Sequence, residues 1–299
     1  MQIKEFLLKL HLRKGIGCHG ETKFWKWWQH NYPKEQTCVL KPDQLIKFVS
    51  TQNRKQFLAD FSSEKLRINV TRHWHQTKIL AICDPEYPIQ LKESYLPPII
   101  LFYEGELAFL RLPLLGMVGA RLANQYGESS LTALMPTVVT QNIAVISGLA
   151  AGIDTMAHKS TLRRGGYTIG VIGTGLNRYY PKQNEALQKY MAIHQLILSE
   201  YPLDAGPQRY HFVERNRIIA GLCETLCVVQ AKQHSGSLIT ANLALQNNRN
   251  VIAIPGRIDD ILSVGCNELI AAGAKPVLNS QHIIEEFRFD RIHNMKYDY

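Results

Sequence analysis

Apolar residues follow two different rhythms along the chain. Through residue 78 they recur at helical spacing among Lys, Gln, Trp and Leu, with few β-branched neighbours. That spacing predicts short helices over 2–12, 21–30, 42–49 and 53–60. Farther on, apolar residues come as short continuous runs at 99–103, 114–118, 143–147, 168–172, 196–199, 225–230 and 250–254. Helical patterns over 122–141, 153–164, 183–193, 212–222, 238–247 and 263–272 separate most of them, and a last one covers 280–288. Continuous apolar strands alternating with helices predict a parallel sheet covered on both faces, an α/β fold. A proline-bearing stretch over 83–98 precedes the sheet, and its prolines argue against helix there. The divisions expected are a small all-helical domain over 1–78, a linker with the first strand over 79–112, the core over 113–288 and a polar tail over 289–299.

Strand after strand ends in small residues: VGAR (118–121), SGLAAGID (147–154), GTGLN (173–177), SGS (235–237) and PGR (255–257). In an open α/β sheet such turns gather beyond the carboxyl ends of the strands, where these folds bind ligands. Helix starts placed there offer unpaired N–H groups and partial positive charge, an arrangement suited to an anion.

Charge sharpens that picture. The net charge is +9, and residues 1–78 carry 15 Lys and Arg against 6 Asp and Glu, while the remainder is balanced at 19 against 19. The excess suits an acidic partner or simply a solvated helical surface. Lys14 to Gly17 (KGIG) reads as a tight turn between helices or as a hairpin offering N–H groups to a DNA phosphate. In the neutral remainder an anion site must come from local arrangement. The loops supply Arg121, Arg178, Lys182, Arg215, Arg217, Lys232 and Arg257, with Tyr179 and Tyr180 beside them. Cations interleaved with rings are the parts of a single-strand nucleic-acid site. Arg215 and Arg217 lie two apart, so both reach one ligand only from a loop or a first turn.

Other chemistries find little support. GTGLNR lacks the third glycine of a dinucleotide fingerprint, and no Walker-type loop, G-x-S-x-G elbow or H-E-x-x-H is present. The six cysteines form no C-x-x-C pair and no metal spacing, as expected of buried thiols in the cytoplasm. No run reaches the roughly 18 apolar residues of a membrane span, and the charged N-terminal stretch reads as helix rather than signal peptide. Asp154 and His158, four apart, share a helix face. They are read as a structural pair, Asp154 capping the first turn and His158 donating to it. No metal, no cofactor and no catalytic group is expected.

VGAR, VISGLAAGIDTMAHKSTLRRGGYTIGVIGTGLNRYYPKQN, ILSEYP, FVERNRIIAGL, SGSLITANLAL and VIAIPG…GCNELIAAGAKPV, in this order over about residues 80–278, resemble the DNA processing protein A (DprA/Smf) family. The resemblance implies an extended Rossmann-like core that is not an enzyme. Such a core binds single-stranded DNA without sequence preference, dimerises, protects DNA taken up in natural transformation and helps load the RecA recombinase. The family's pocket falls here on Arg121, Lys182, the RNR segment (Arg215, Asn216, Arg217) and the SGSLIT turn (Ser235, Gly236, Ser237, Thr240). Gly148 and Tyr180 complete the expected site. The turn is expected to hold backbone phosphate through the Gly236 and Ser237 N–H groups and the hydroxyls of Ser235, Ser237 and Thr240. Ala120 stands where a hydroxyl residue is usual, and Ala151 where Arg is common. No winged-helix domain is expected after the core, and residues 1–78 are SAM-like or helix-hairpin-helix-like by analogy. The rival reading is a nucleotide-processing enzyme of the phosphoribohydrolase type. That type places P-G-G-x-G-T-x-x-E in an equivalent crevice, whereas QHSGSLITAN lacks the double glycine and the Glu.

Overall fold

The structure, a computed structural model, describes residues 1–287. The polar tail over 289–299 and the last residue of the expected 280–288 helix lie outside the described residues; α13 (Gln281–Ile284) falls within that prediction.

Five helices come first: α1 (Ile3–Leu12), α2 (Cys18–Asn31), α3 (Pro42–Leu45), α4 (Arg54–Phe61) and α5 (Glu64–Gln76). Phe6, Leu10, Phe24, Trp28, Phe57 and Phe61 are buried among them. The helix α5 has no counterpart in the sequence prediction. Its buried stripe is only Leu66, Val70 and His73, so one of its three inward positions is polar and the periodicity is faint. Ser63 starts it, its Oγ accepting from the Leu66 N–H at 3.1 Å.

Nine strands form one sheet among the described residues: β1 (Lys78–Ala81), β2 (Ile100–Gly105), β3 (Leu114–Gly119), β4 (Ala144–Ser147), β5 (Thr168–Ile172), β6 (Leu196–Ser199), β7 (Thr225–Gln230), β8 (Asn250–Ala253) and β9 (Lys275–Pro276). Their order is β1-β2-β6-β5-β4-β3-β7-β8-β9. From β6 to β9 all neighbours are parallel, whereas β1–β2 and β2–β6 are antiparallel. The parallel core matches the prediction, and the antiparallel edge corrects its simplest form. A short helix, α6 (Ile89–Lys92), sits where proline spacing argued against helix. Pro88 stands at its N-cap, where the missing N–H costs nothing.

Covering the sheet are α7 (Gln125–Thr140), α8 (Ile153–Leu162), α9 (Glu185–His194), α10 (Arg209–Leu222), α11 (Gly236–Gln246) and α12 (Val264–Ala271). The strands β4, β5, β6 and β7 are buried at every residue, which explains their unbroken apolar runs. Inside α7, Pro136 has no N–H for the carbonyl of Thr132; the Arg164 Nη2 donates to that carbonyl instead, at 3.2 Å. One continuous apolar cluster joins Leu7 and Leu10 of α1 to Leu80, Phe102 and Leu198 of the sheet. The chain leaves β3 toward β4 on one side and later returns to place β7 on the other. That reversal is the topological switch point, where open α/β sheets bind ligands.

Candidate nucleic-acid interface

A cavity of about 810 Å³ opens beyond the carboxyl ends of β3 and β7. Three of the five small-residue turns reach it: the turn after β3, the turn after β4 through Ala150 and Asp154, and the turn before α11. The other two do structural work. GTGLN supports the β6–α10 loop, with the Gly175 N–H on the Ala205 carbonyl and the Asn177 N–H on the Leu203 carbonyl. In PGR, the Gly256 N–H and carbonyl are both held by the Asn267 amide.

Turn geometry brings the first of these three against the start of α8. Gly152 has φ +76°, and a Cβ there would overlap the carbonyls of Ala120 and Arg121. The Ile153 N–H, at the start of α8, donates to the Ala120 carbonyl at 3.1 Å. That helix start is therefore already occupied by protein. The start of α11 is not. Its N-cap Ser235 makes no side-chain cap bond, and the N–H groups of Gly236 and Ser237 lie in the first turn, beyond reach of any helix carbonyl. The Asn216 Nδ2 donates to the Gly236 carbonyl at 3.4 Å and the Thr240 Oγ1 to the same oxygen at 3.0 Å. These two bonds fix the turn. The second of them corrects one expected phosphate donor, because the Thr240 proton is already given to Gly236, whereas the Ser235 Oγ is buried with no partner in the protein and keeps its proton to give.

The floor holds two buried charged residues, Arg215 and Asp154, that act on each other through charge. Arg215 is 3% exposed and donates from Nη1 to the Val171 carbonyl at 2.8 Å. Gly148 makes room for it, since a Cβ at that position would fall on the guanidinium. Asp154 accepts from the Ala150 N–H at 3.4 Å. Burial raises its carboxyl above the usual range, and the Arg215 charge opposes that rise. Burial in turn lowers Arg215, with Asp154 opposing. The expected Asp154–His158 bond is not made. The His158 Nδ1 meets the Thr168 Oγ1 at 2.6 Å, and that hydroxyl donates to the Val145 carbonyl. Nδ1 therefore carries the proton. Burial first, and Arg215 second, push His158 down to about 3, so it is a neutral structural side chain.

Arg217 leaves the candidate site. The segment RNR lies in regular helix, so Arg215 and Arg217 face different ways. Arg217 is buried on the far side, its Nη2 2.5 Å from the Glu200 Oε1. Lys182 stands apart from the cavity lining as well. It is 82% exposed in the turn before α9 and pairs with Glu185 at 2.6 Å. Besides the buried Arg215, the Lys and Arg residues lining the cavity among the described residues are Arg121, Lys232 and Arg209, all exposed. Arg209 carries no local sequence signal; only its place at the start of α10 puts it there. Arg178 and Arg257 are turned to the Asp204 carbonyl and the Asp259 carboxylate.

Rings complete the rim. Tyr180 is 44% exposed, with its ring 5.1 Å from that of Phe212 at 39°. The Arg121 guanidinium lies 5.7 Å from the Phe212 centroid. Phe212, also missed in the sequence, is the shared platform beneath both. Among the described residues no His, Cys, Asp or Glu cluster suits a metal ion, and all six cysteines are free thiols.

These features have close counterparts elsewhere. The family model described as DNA recombination-mediator protein A matches residues 78–288. DNA processing protein DprA of Streptococcus pneumoniae is 44% identical over 221 residues, which are 74% of this chain and 78% of that one. DprA of Bacillus subtilis is 36% identical over 262 residues, 87% of this chain and 88% of that one. The X-ray structure of the Streptococcus pneumoniae protein superimposes with a TM-score of 0.86 at 37% identity, covering 95% of this chain and 97% of that one. A structure describing the single-stranded DNA binding mode of DNA processing protein A from Helicobacter pylori has a TM-score of 0.63 at 28% identity, covering 70% of this chain and 95% of that one. The chain belongs to the DNA recombination-mediator protein A family.

Proposed function

We propose that the cavity between β3 and β7 binds single-stranded DNA without reading its sequence. The observation that carries this reading is the combination at one rim: three exposed cations, the open N–H groups of α11 and the Tyr180–Phe212 pair. Cations and the helix start hold phosphates, and a ring face accepts any base. The single-strand binding described for the Helicobacter pylori relative supports the same reading. Lys182, in the turn after Tyr180, serves a neighbouring phosphate once Glu185 releases it. The chain acts as a homodimer in the cytoplasm, protects incoming DNA in transformation and passes it to a RecA-type recombinase. It performs no chemistry on the strand, and the buried Arg215–Asp154 couple is structural.

The test is salt dependence by variant. Each cation that neutralises a phosphate contributes about 0.7 to the slope of log affinity against log salt. Arg121→Ala and Lys232→Ala should each lower the slope by about that amount, equally for all sequences. Unchanged slopes in both would remove the cavity from the DNA path. Release of a free base from a nucleoside monophosphate would instead establish the phosphoribohydrolase reading. Sedimentation of the free chain, and of the chain with a recombinase, tests the dimer and the partner.

A further inference from the structure

The β6–α10 loop, residues 200–208, does two things at once. Its end forms one wall of the cavity, through Pro207, Gln208 and the adjoining Arg209. Its beginning is held by the N-terminal helices. The His11 Nε2 bonds the Glu200 carbonyl at 2.7 Å, the His73 Nε2 accepts the Leu203 N–H at 3.1 Å, and Arg72 pairs with Asp204 at 2.6 Å. We propose that the N-terminal helices set the position of the cavity wall, with His73 as the positioning residue for single-stranded DNA binding. The inference rests on the reading of the cavity given above.

Geometry fixes the state of His73. Its Nδ1 meets the Asn69 carbonyl at 2.8 Å, so Nδ1 carries the proton and Nε2 is left as acceptor for Leu203. Only the neutral ring satisfies both. Protonation would set an N–H against the Leu203 N–H and free the loop at its midpoint. The groups facing the ring are Phe102 of β2, at 5.3 Å between centroids, with Arg72, Asp204 and His11 near enough to act through charge. Burial holds His73 below the ordinary histidine value, so the neutral ring is the resident form at neutral pH. The turn at 175–178 holds the same loop from the sheet side. Loss of the His73 bond therefore loosens the wall rather than unfolding it.

The experiment measures oligo-dT affinity by fluorescence anisotropy from about pH 7.5 to about pH 5, because thymine does not titrate there. Wild type should lose affinity as the pH falls through the lowered His73 value. His73→Gln offers an acceptor that cannot be charged. It should bind close to wild type at neutral pH and lose most of the acid decline. His73→Leu leaves the Leu203 N–H unpaired and should bind up to about tenfold more weakly at every pH. Every other titratable group is common to both proteins, so the difference between the Gln and wild-type profiles belongs to His73. If His73→Leu fails to fold, that difference still decides. Identical profiles for wild type and His73→Gln, with binding intact, would overturn the inference alone. No binding by wild type at neutral pH would overturn the reading of the cavity, and the inference with it.

Discussion

Two arginines that the sequence resemblance assigns to one site should respond in opposite ways to removal. Arg217 and Glu200 are 7% and 6% exposed and 2.5 Å apart. Arg217→Met leaves the Glu200 carboxylate buried without its cation, beside the Tyr201 ring and the His11 contact. Breaking one side of such a pair costs about 3–5 kcal/mol. That is a large share of a typical total of about 5–15 kcal/mol, so urea unfolding should show it plainly. Replacing both residues, as in Arg217→Met with Glu200→Met, should recover most of the loss, because a packed apolar pair removes the stranded charge. DNA affinity, measured where each variant is folded, should stay within about twofold, since Arg217 faces away from the cavity. Arg121→Ala should do the reverse. Its side chain is exposed and pairs with no carboxylate among the described residues. Stability should move by less than about 0.5 kcal/mol, while affinity falls about fivefold to tenfold. Wild-type stability in Arg217→Met together with a tenfold or greater loss of DNA binding would place Arg217 at the DNA instead.

Gly148→Ala should push the Arg215 guanidinium off the Val171 carbonyl, costing about 2–3 kcal/mol in urea unfolding and weakening DNA binding through the displaced floor. A stability equal to wild type would show that Arg215 has another resting place. His11 gives a pH signature. Burial, the largest single influence, discourages its charge, but the Glu21 carboxylate and hydrogen bond and the Glu200 charge and carbonyl together raise it from 6.5 to about 9. A raised value means stability that is fully present below 6.5 and lost as pH rises to about 9. Wild type should therefore weaken across that window in denaturant titrations, and His11→Gln should not.

The core was legible because its physics is written locally. Strands buried on both faces must be apolar throughout, so β4, β5 and β7 stood out as unbroken runs. The switch point followed from the small-residue turns, three of which do meet at the cavity. What escaped depends on tertiary context. The helix α5 buries a histidine where periodicity looks for an apolar residue, because His73 is needed as an acceptor for the β6–α10 loop. Arg217 shares the RNR motif with Arg215, but the helix predicted over 212–222 is regular there and turns the two apart. Arg209 and Phe212 carry no motif of their own. They enter the site because α10 begins at the cavity wall, a fact of chain path rather than of spacing. Thr240 shows the limit from the other side: the residue is at the site, but its proton is spent on the Gly236 carbonyl.

The most direct test of the central claim compares oligo-dT with a duplex of equal length at about 50 and about 200 mM salt. With three or four phosphates neutralised, single-strand affinity should fall about twentyfold to fiftyfold over that range, and the single strand should be preferred at both. Preference for duplex, or binding that ignores salt, would contradict the account and leave the cavity to a small nucleotide.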